Sequence, residues 1–225
     1  MLLYYPLHAS GIVTLTFDDG YQSAYDTVKP ILQKYHVLAT FYVTTSLLGT
    51  PGYLTPEQVI ELHQLGHEIG SHCVTHRNLK HISLKEVEKE LKESKEILEA
   101  MIHTPVTQFA APFGAINEQI VNVIRKYYQT NRTIMNGYND KIKFNPYKLK
   151  TKVVYNQTTL KEIESWLKET SINDFWLILV YHQIGGGNEA LTTHPSILEQ
   201  QIKLIQEYNI IKKIKQDRQD RFAAG

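Results

Sequence analysis

The stretch Gly11-Ile12-Val13-Thr14-Leu15-Thr16-Phe17-Asp18-Asp19-Gly20 places two adjacent carboxylates at the end of an apolar run typical of a buried strand. An ionised side chain leaves water only at a large cost in free energy unless its charge is compensated. A bound cation would compensate it, and the downstream stretch Ser71-His72-Cys73-Val74-Thr75-His76 offers two imidazoles that could share the ion. The alternative is a tight turn in which both carboxylates face water.

Size and composition indicate one sizeable globular domain. The chain has 225 residues, of which 42% are hydrophobic and 21% are charged. Its net charge of +1, with both signs interspersed, indicates neither a nucleic-acid partner nor an anionic membrane surface. No apolar run reaches the length of a membrane span, the single cysteine excludes an intrachain disulfide, and the N-terminal residues do not resemble a signal peptide. We expect the domain to cover residues 1–216, followed by a polar tail at residues 217–225.

Short apolar runs alternate with helical patterns about six or seven times along the chain. Strands are predicted at residues 12–17, 40–44, 67–70, 106–111, 175–181 and 210–214. Helices are predicted at residues 24–35, 55–65, 83–101, 117–127, 159–170 and 195–208. This order predicts an α/β fold with a mostly parallel sheet and outer helices, either a barrel or an open doubly wound sheet. We expect residues 141–152 to form a surface excursion.

Polar or turn-forming residues follow four of the predicted strands. They are Asp18 and Asp19, His72 and His76, Pro112 to Gly114, and His182. The C-terminal ends of parallel strands gather at one face of such folds, where active sites are built. One Asp and two His form a typical ligand set for a divalent ion. His72 and His76 would share a helix face if residues 74–77 were helical; the alternative is two polar loop histidines.

Four ordered motifs resemble those of the polysaccharide deacetylases, the NodB-homology or carbohydrate esterase family 4 group. They are Thr16-Phe17-Asp18-Asp19-Gly20, Ser71-His72-Cys73-Val74-Thr75-His76, Ala111-Pro112-Phe113-Gly114 and Val180-Tyr181-His182. The resemblance spans nearly the whole chain. It implies a deformed (β/α) barrel of seven or eight mostly parallel strands with outer helices in a single domain. It also implies removal of N-acetyl groups from amino sugars, or of O-acetyl groups from xylan, and a secreted or cell-envelope location.

Carried over by residue, the resemblance implies a role for each polar side chain. Asp18 is then the general base, His182 is the general acid, and Asp19, His72 and His76 hold a metal ion. Zinc is the first choice, with Co²⁺, Ni²⁺ or Mn²⁺ as alternatives, because an Asp-His-His set accepts several divalent ions. The implied partner is an acetylated glycan, against which exposed tyrosines such as Tyr21 or Tyr53 could stack.

The chain departs from the family pattern at the third motif. That motif usually carries an arginine that orients the base, and Ala110 stands in its place. Arg132, expected just after the next strand, is the candidate replacement; a surface arginine is the alternative. We expect Phe113, beside Pro112, to offer a backbone N–H to the oxyanion. Val180 either lines the pocket for the acetyl methyl group or packs in the core.

Two other functions stay open at this point. One is a metal amidohydrolase of the same fold acting on a non-sugar C–N bond, which a closed pocket completed by a partner subunit would favour. The other is a catalytically silent carbohydrate-binding module, which the presence of Asp18 and His182 disfavours. The sequence does not distinguish peptidoglycan, chitin, exopolysaccharide and xylan as substrates, and it does not indicate an oligomeric state.

Overall fold

The structure, a computed structural model, describes residues 11–187 and 189–208. Its strands are Ile12–Phe17 (β1), Thr40–Val43 (β2), Glu68–Ser71 (β3), Gln108–Ala110 (β4), Thr130–Asn136 (β5), Asn139–Asp140 (β6), Leu149–Val153 (β7), Phe175–Tyr181 (β8), Gln183–Ile184 (β9) and Thr192–Thr193 (β10). Its α-helices are Lys29–Lys34 (α1), Pro56–Gln64 (α2), Leu84–Ile102 (α3), Glu118–Tyr127 (α4), Leu160–Ile172 (α5) and Pro195–Glu207 (α6). None of these helices is both long and apolar enough to cross a bilayer.

Seven parallel strands close into a barrel in the order β1-β2-β3-β4-β5-β7-β8, and β8 pairs back with β1. The closing pair runs in continuous register from Ile12 opposite Trp176 to Phe17 opposite Tyr181. β6 pairs antiparallel with β8, and β9 and β10 form a separate two-stranded sheet. The predicted deformed (β/α) barrel is therefore confirmed, and the open doubly wound alternative is excluded.

Alternate residues of the strands face different surroundings. In β1, Val13, Leu15 and Phe17 belong to the apolar core between the barrel and the helices. Thr14 points the other way and accepts a hydrogen bond from Trp176 Nε1 at 2.9 Å. Because side chains alternate between the faces of a strand, Asp18 continues the inward-facing series of Thr14 and Thr16. The period of β1 thus directs the first carboxylate of the pair into the barrel.

Most predicted elements lie within a few residues of their expected positions, and two predictions need correction. The helix predicted over residues 24–35 is not one α-helix, because a π-helical turn at Ala24–Val28 precedes α1. Pro30 then falls in the first turn of α1, the part of a helix that tolerates proline best. Residues 141–152 are not all a surface excursion, since β7 begins at Leu149 and is a barrel strand.

The strand predicted at residues 210–214, the domain boundary at residue 216 and the tail at residues 217–225 all lie outside the described residues.

His67 is a buried histidine that precedes β3 and makes stability depend on pH. Its Nδ1 accepts a hydrogen bond from the Ala39 N–H at 3.2 Å, and its ring packs edge-on against Phe41. Burial lowers the pKa of His67 from 6.5 to about 4. Protons therefore bind the unfolded chain more readily, so stability present above about pH 6.5 is lost as the pH falls towards 4.

We predict that acidification from pH 7 to pH 4 lowers the free energy of unfolding by about 2–3 kcal/mol through His67 alone. Urea unfolding at a series of pH values measures this dependence. The His67→Gln variant should lose that part of the slope, since glutamine does not titrate. Parallel pH profiles for the variant and the wild type would contradict the assignment.

Candidate active site

Asp18 and Asp19 directly follow β1 at the C-terminal end of the barrel, and their side chains diverge. The Asp18 N–H donates to the Tyr181 carbonyl at 2.9 Å, so Asp18 continues the strand pairing and points inward. Asp19 has a left-handed φ of 71°, which is uncommon for a residue with a Cβ atom. This turn directs the second carboxylate away from the first, towards the loop that follows β3.

Asp19, His72 and His76 form the candidate metal centre. One ligand atom of each lies within 4.8 Å of the other two. Asp19 Oδ1 lies 3.4 Å from His72 Nε2 and 3.1 Å from His76 Nε2. The structure thus brings together the three residues that the sequence singled out as ligands.

The hydrogen bonding of His72 tests whether this centre suits a cation. His72 Nδ1 lies 2.7 Å from the Ala110 carbonyl oxygen, which can only accept, so Nδ1 carries the proton. In the neutral imidazole, Nε2 then presents a lone pair to the Asp19 carboxylate. Two electron-pair donors facing each other suit a shared divalent ion, and an outer partner on the second ring nitrogen is typical of metal-binding histidines. The donor set therefore fits the predicted metal.

The charge state of Asp19 is consistent with this fit. Burial acts to raise the pKa of Asp19, but the adjoining imidazoles of His72 and His76 outweigh burial and hold the pKa well below its usual range. Asp19 is consequently ionised at neutral pH, which is the form that binds metals.

His76 reaches the centre through a loop rather than a helix. The conditional expectation of a helix over residues 74–77 is wrong, because these residues have no helical structure. Cys73 and His76 instead adopt left-handed φ values of 67° and 56°. These two bends turn the chain back so that both imidazoles meet Asp19.

Asp18 is paired with Arg132 inside the barrel. Arg132 Nη2 donates to Asp18 Oδ2 at 2.5 Å, and both side chains are almost fully buried. Arg132 lies within β5, not after a strand as the sequence suggested, and it is the direct register partner of Ala110 in β4. The guanidinium therefore enters the barrel one strand away from the usual motif position, at the same height. Arg132 is a buried residue rather than a surface arginine.

Tyr42 supports the guanidinium, and sequence reasoning missed it. Arg132 lies 5.1 Å from the centre of the Tyr42 ring, within the range of a cation–π contact. Gly70 of the neighbouring strand makes room for this ring, because a Cβ atom there would lie 2.5 Å from it. The sequence did contain a signal for Tyr42: the alternation of side chains along β2 places it on the same inward face as Thr40 and Thr44.

One oxygen of Asp18 is left free beside His182. Among the described residues, Asp18 Oδ1 and His182 Nδ1 have no hydrogen-bond partner although both atoms are buried. His182 Nε2 lies 3.8 Å from Asp18 Oδ2. Burial lowers the pKa of His182, against the charges of Asp18 and Asp19, which raise it. The Asp18 carboxylate, which Arg132 binds through one oxygen, therefore lies next to the ionisable imidazole of His182 with its other oxygen free.

The remaining predicted residues border the same region. Phe113, with a φ of 57°, is 58% exposed, and its ring packs edge-on to His76 with centroids 4.8 Å apart. Pro112, before it, is buried. Val180 is fully buried in β8 and lies two residues before His182, hence on the same side of the chain. Close to Asp19, the partly exposed rings of Tyr21 and Tyr53 stack with centroids 5.2 Å apart.

Comparisons with known proteins agree with this geometry. Residues 8–131, more than half of the chain, match the sequence model of the family described as polysaccharide deacetylase. A chitooligosaccharide deacetylase of Azorhizobium caulinodans is 34% identical over 116 residues, which cover 51% of this chain and 53% of that protein. The chain spans only 23% to 53% of the length of the peptidoglycan and chitooligosaccharide deacetylases that it matches.

Two solved structures share the fold. The Streptococcus pyogenes deacetylase PplD, in complex with acetate, has a TM-score of 0.64 at 27% identity and is matched over 70% of this chain and 69% of its own. The polysaccharide deacetylase BC0361 from Bacillus cereus has a TM-score of 0.63 at 29% identity, over 68% of this chain and 50% of its own. With the family match, the barrel and the motif residues at one rim, this chain belongs to the polysaccharide deacetylase family.

Proposed function

We propose that this protein is a metal-dependent deacetylase that hydrolyses N-acetyl groups of amino-sugar polysaccharides or oligosaccharides. The observation that carries the proposal is the buried Asp18–Arg132 pair beside the cluster of Asp19, His72 and His76. A buried ion pair is costly to maintain for stability alone, and here it leaves one carboxylate oxygen free. That combination suits a general base better than a binding module.

Asp19, His72 and His76 would hold the ion, for which zinc is our first choice. When bound, it would supply Lewis-acid polarisation of the acetyl carbonyl and of the attacking water. Amide hydrolysis needs this help, since an amide is a poor electrophile with a poor leaving group.

The chain's own residues would then carry the protons and orient the substrate. Asp18 takes a proton from the attacking water through Oδ1 while Arg132 holds Oδ2. As the C–O bond forms and the C–N bond breaks, His182 gives a proton to the departing amine. In this scheme the Phe113 N–H binds the oxyanion and Val180 bounds the space for the acetyl methyl group.

A sugar substrate is supported by the family and by the site's rim. The Tyr21 ring, two residues after Asp19, stacks on the Tyr53 ring, and burial together with the Asp19 charge raises the pKa of Tyr21 to about 12. The Tyr21 phenol therefore stays neutral, and both rings offer a flat apolar face and a polar tip suited to a pyranose ring. The matched relatives include peptidoglycan and chitooligosaccharide deacetylases, so these two glycans are the first candidate substrates. With such a substrate we also propose a cell-envelope or secreted location.

Acetate release from a panel of acetylated compounds tests the proposal. The panel contains N-acetylated chito-oligosaccharides, peptidoglycan, acetylated xylan and a non-sugar acetamide such as acetanilide, with glycan binding measured in parallel. We expect acetate from an N-acetylated glycan and none after chelation. Acetate from acetanilide alone would indicate an amidohydrolase of the same fold, and tight glycan binding without acetate would indicate a binding module.

A further inference from the structure

Glu90 is a buried carboxylate on α3, outside the motifs considered so far. Its residue is only 7% exposed, and it lies on the buried face of α3 with Val87, Leu91 and Ser94. A glutamate is almost never buried in this way unless its charge is satisfied by partners. In the part of the chain that the structure describes, the hydrogen-bond partners of Glu90 belong to the loop between the two histidines of the candidate metal centre.

Three hydrogen bonds join Glu90 to that loop. Its Oε2 accepts from the backbone N–H groups of Val74 and Thr75, both at 2.9 Å. Its Oε1 accepts from the Thr75 hydroxyl. Hydrogen bonds to an ionised acceptor are stronger than neutral ones, so this contact fixes the residue directly before His76.

The other side of the loop is held by backbone groups after β2. The Cys73 carbonyl accepts from the Thr45 N–H at 3.2 Å, and the Val74 carbonyl accepts from the Ser46 N–H at 2.9 Å. Between these contacts the loop contains the left-handed residues Cys73 and His76. Non-glycine residues keep such a backbone only where their surroundings enforce it. On the side of the loop that faces α3, Glu90 is the side chain that enforces this backbone.

We propose that Glu90 is a positioning residue that holds the 73–76 loop in its strained form and thereby sets the affinity of the centre for its metal ion. The inference rests on the proposed metal site and extends it to a residue that contacts none of the three ligand side chains. Without Glu90, the loop can relax towards ordinary φ values and carry His76 away from Asp19. The donors to Glu90 are neutral groups, so its charge also favours a cation nearby.

The test measures the dissociation constant for Zn²⁺ by competition with a chromophoric chelator, and the visible spectrum of the Co²⁺-loaded protein. We expect Glu90→Ala to weaken Zn²⁺ binding by about 10–100-fold, the range found for outer partners of metal ligands, and to change the Co²⁺ spectrum. Glu90→Gln, which keeps an acceptor but loses the charge, should weaken binding less. Glu93→Ala is the matched control, because Glu93 lies on the same helix and, within residues 11–187 and 189–208, makes only a surface pair with Lys89 at 3.9 Å.

Thermal unfolding of the metal-free proteins separates positioning from stability. A purely structural role would lower the melting temperature without changing the Zn²⁺ dissociation constant, and that result in folded Glu90→Ala would overturn the inference. If Glu90→Ala does not fold, Glu90→Gln and Thr75→Val must each weaken Zn²⁺ binding beyond the Glu93→Ala control, and failure of either overturns the inference. Wild-type protein that binds no divalent ion would overturn the proposed metal site as well, so the two failures are distinguishable.

Discussion

Replacing Asp18 with asparagine is expected to lower the rate of acetate release by about 10²–10⁴-fold, the contribution of a general base, while leaving metal content unchanged. Asparagine has nearly the same size and can still accept the hydrogen bond from Arg132, but it cannot take a proton from water. Steady-state kinetics on an N-acetylated glycan, with metal analysis of the same samples, measure the effect.

Asp26→Asn is the matched control for this substitution. Asp26 is exposed, and its carboxylate accepts a hydrogen bond only from Gln22 at 3.0 Å in the described contacts. The control should keep wild-type turnover. Asp18→Asn protein that retains turnover within a factor of a few would show that another group activates the water.

The second large effect is expected at Arg132. Removing the guanidinium in Arg132→Ala leaves the Asp18 carboxylate buried without its partner, which we expect to lower the free energy of unfolding by about 3–5 kcal/mol. Turnover should fall by about 10²-fold or more, because a carboxylate displaced by about 1 Å is no longer in position to take a proton from the attacking water. Metal content should stay at the wild-type level, since Arg132 contacts no proposed ligand among the described interactions.

The pairing of β4 with β5 offers a rescue experiment for this prediction. Ala110 and Arg132 are register partners, so Ala110→Arg combined with Arg132→Ala returns a guanidinium to the usual motif position at the same height. We expect the double variant to recover part of the lost turnover. Arg125→Ala, at an exposed arginine over the Tyr147 ring, is the control. Full activity in Arg132→Ala would refute a role in holding the base.

The barrel could be predicted because its strands alternate with amphipathic helices and end in polar residues. The strands β1 and β8 could be predicted from the sequence because their apolar runs are long and bounded by turns. β7 was not, because its sequence Leu149-Lys150-Thr151-Lys152-Val153 alternates with lysines and resembles a polar loop. The π-helical turn before α1 has no simple sequence signal, since its residues also fit an α-helical period.

The candidate site was only partly predictable for a similar reason. Motif spacing identified the metal cluster and the Asp18–His182 neighbourhood, because those residues follow strands directly. The Asp18–Arg132 contact depends on the register of β4 against β5, which the sequence does not state. Glu90 was overlooked among the many glutamates of α3, although its place on the buried stripe beside Leu91 was a usable signal.

The most direct test of the account is a Zn²⁺ titration of chelator-stripped protein, following bound metal and acetate release from an N-acetylated glycan together. We predict that acetate release rises in proportion to occupancy and saturates at about one ion per chain, as expected for a single three-ligand site. His76→Ala should lose both signals, whereas His81→Ala, at an exposed histidine nearby, should keep both. Full acetate release from metal-free wild-type protein would contradict the account.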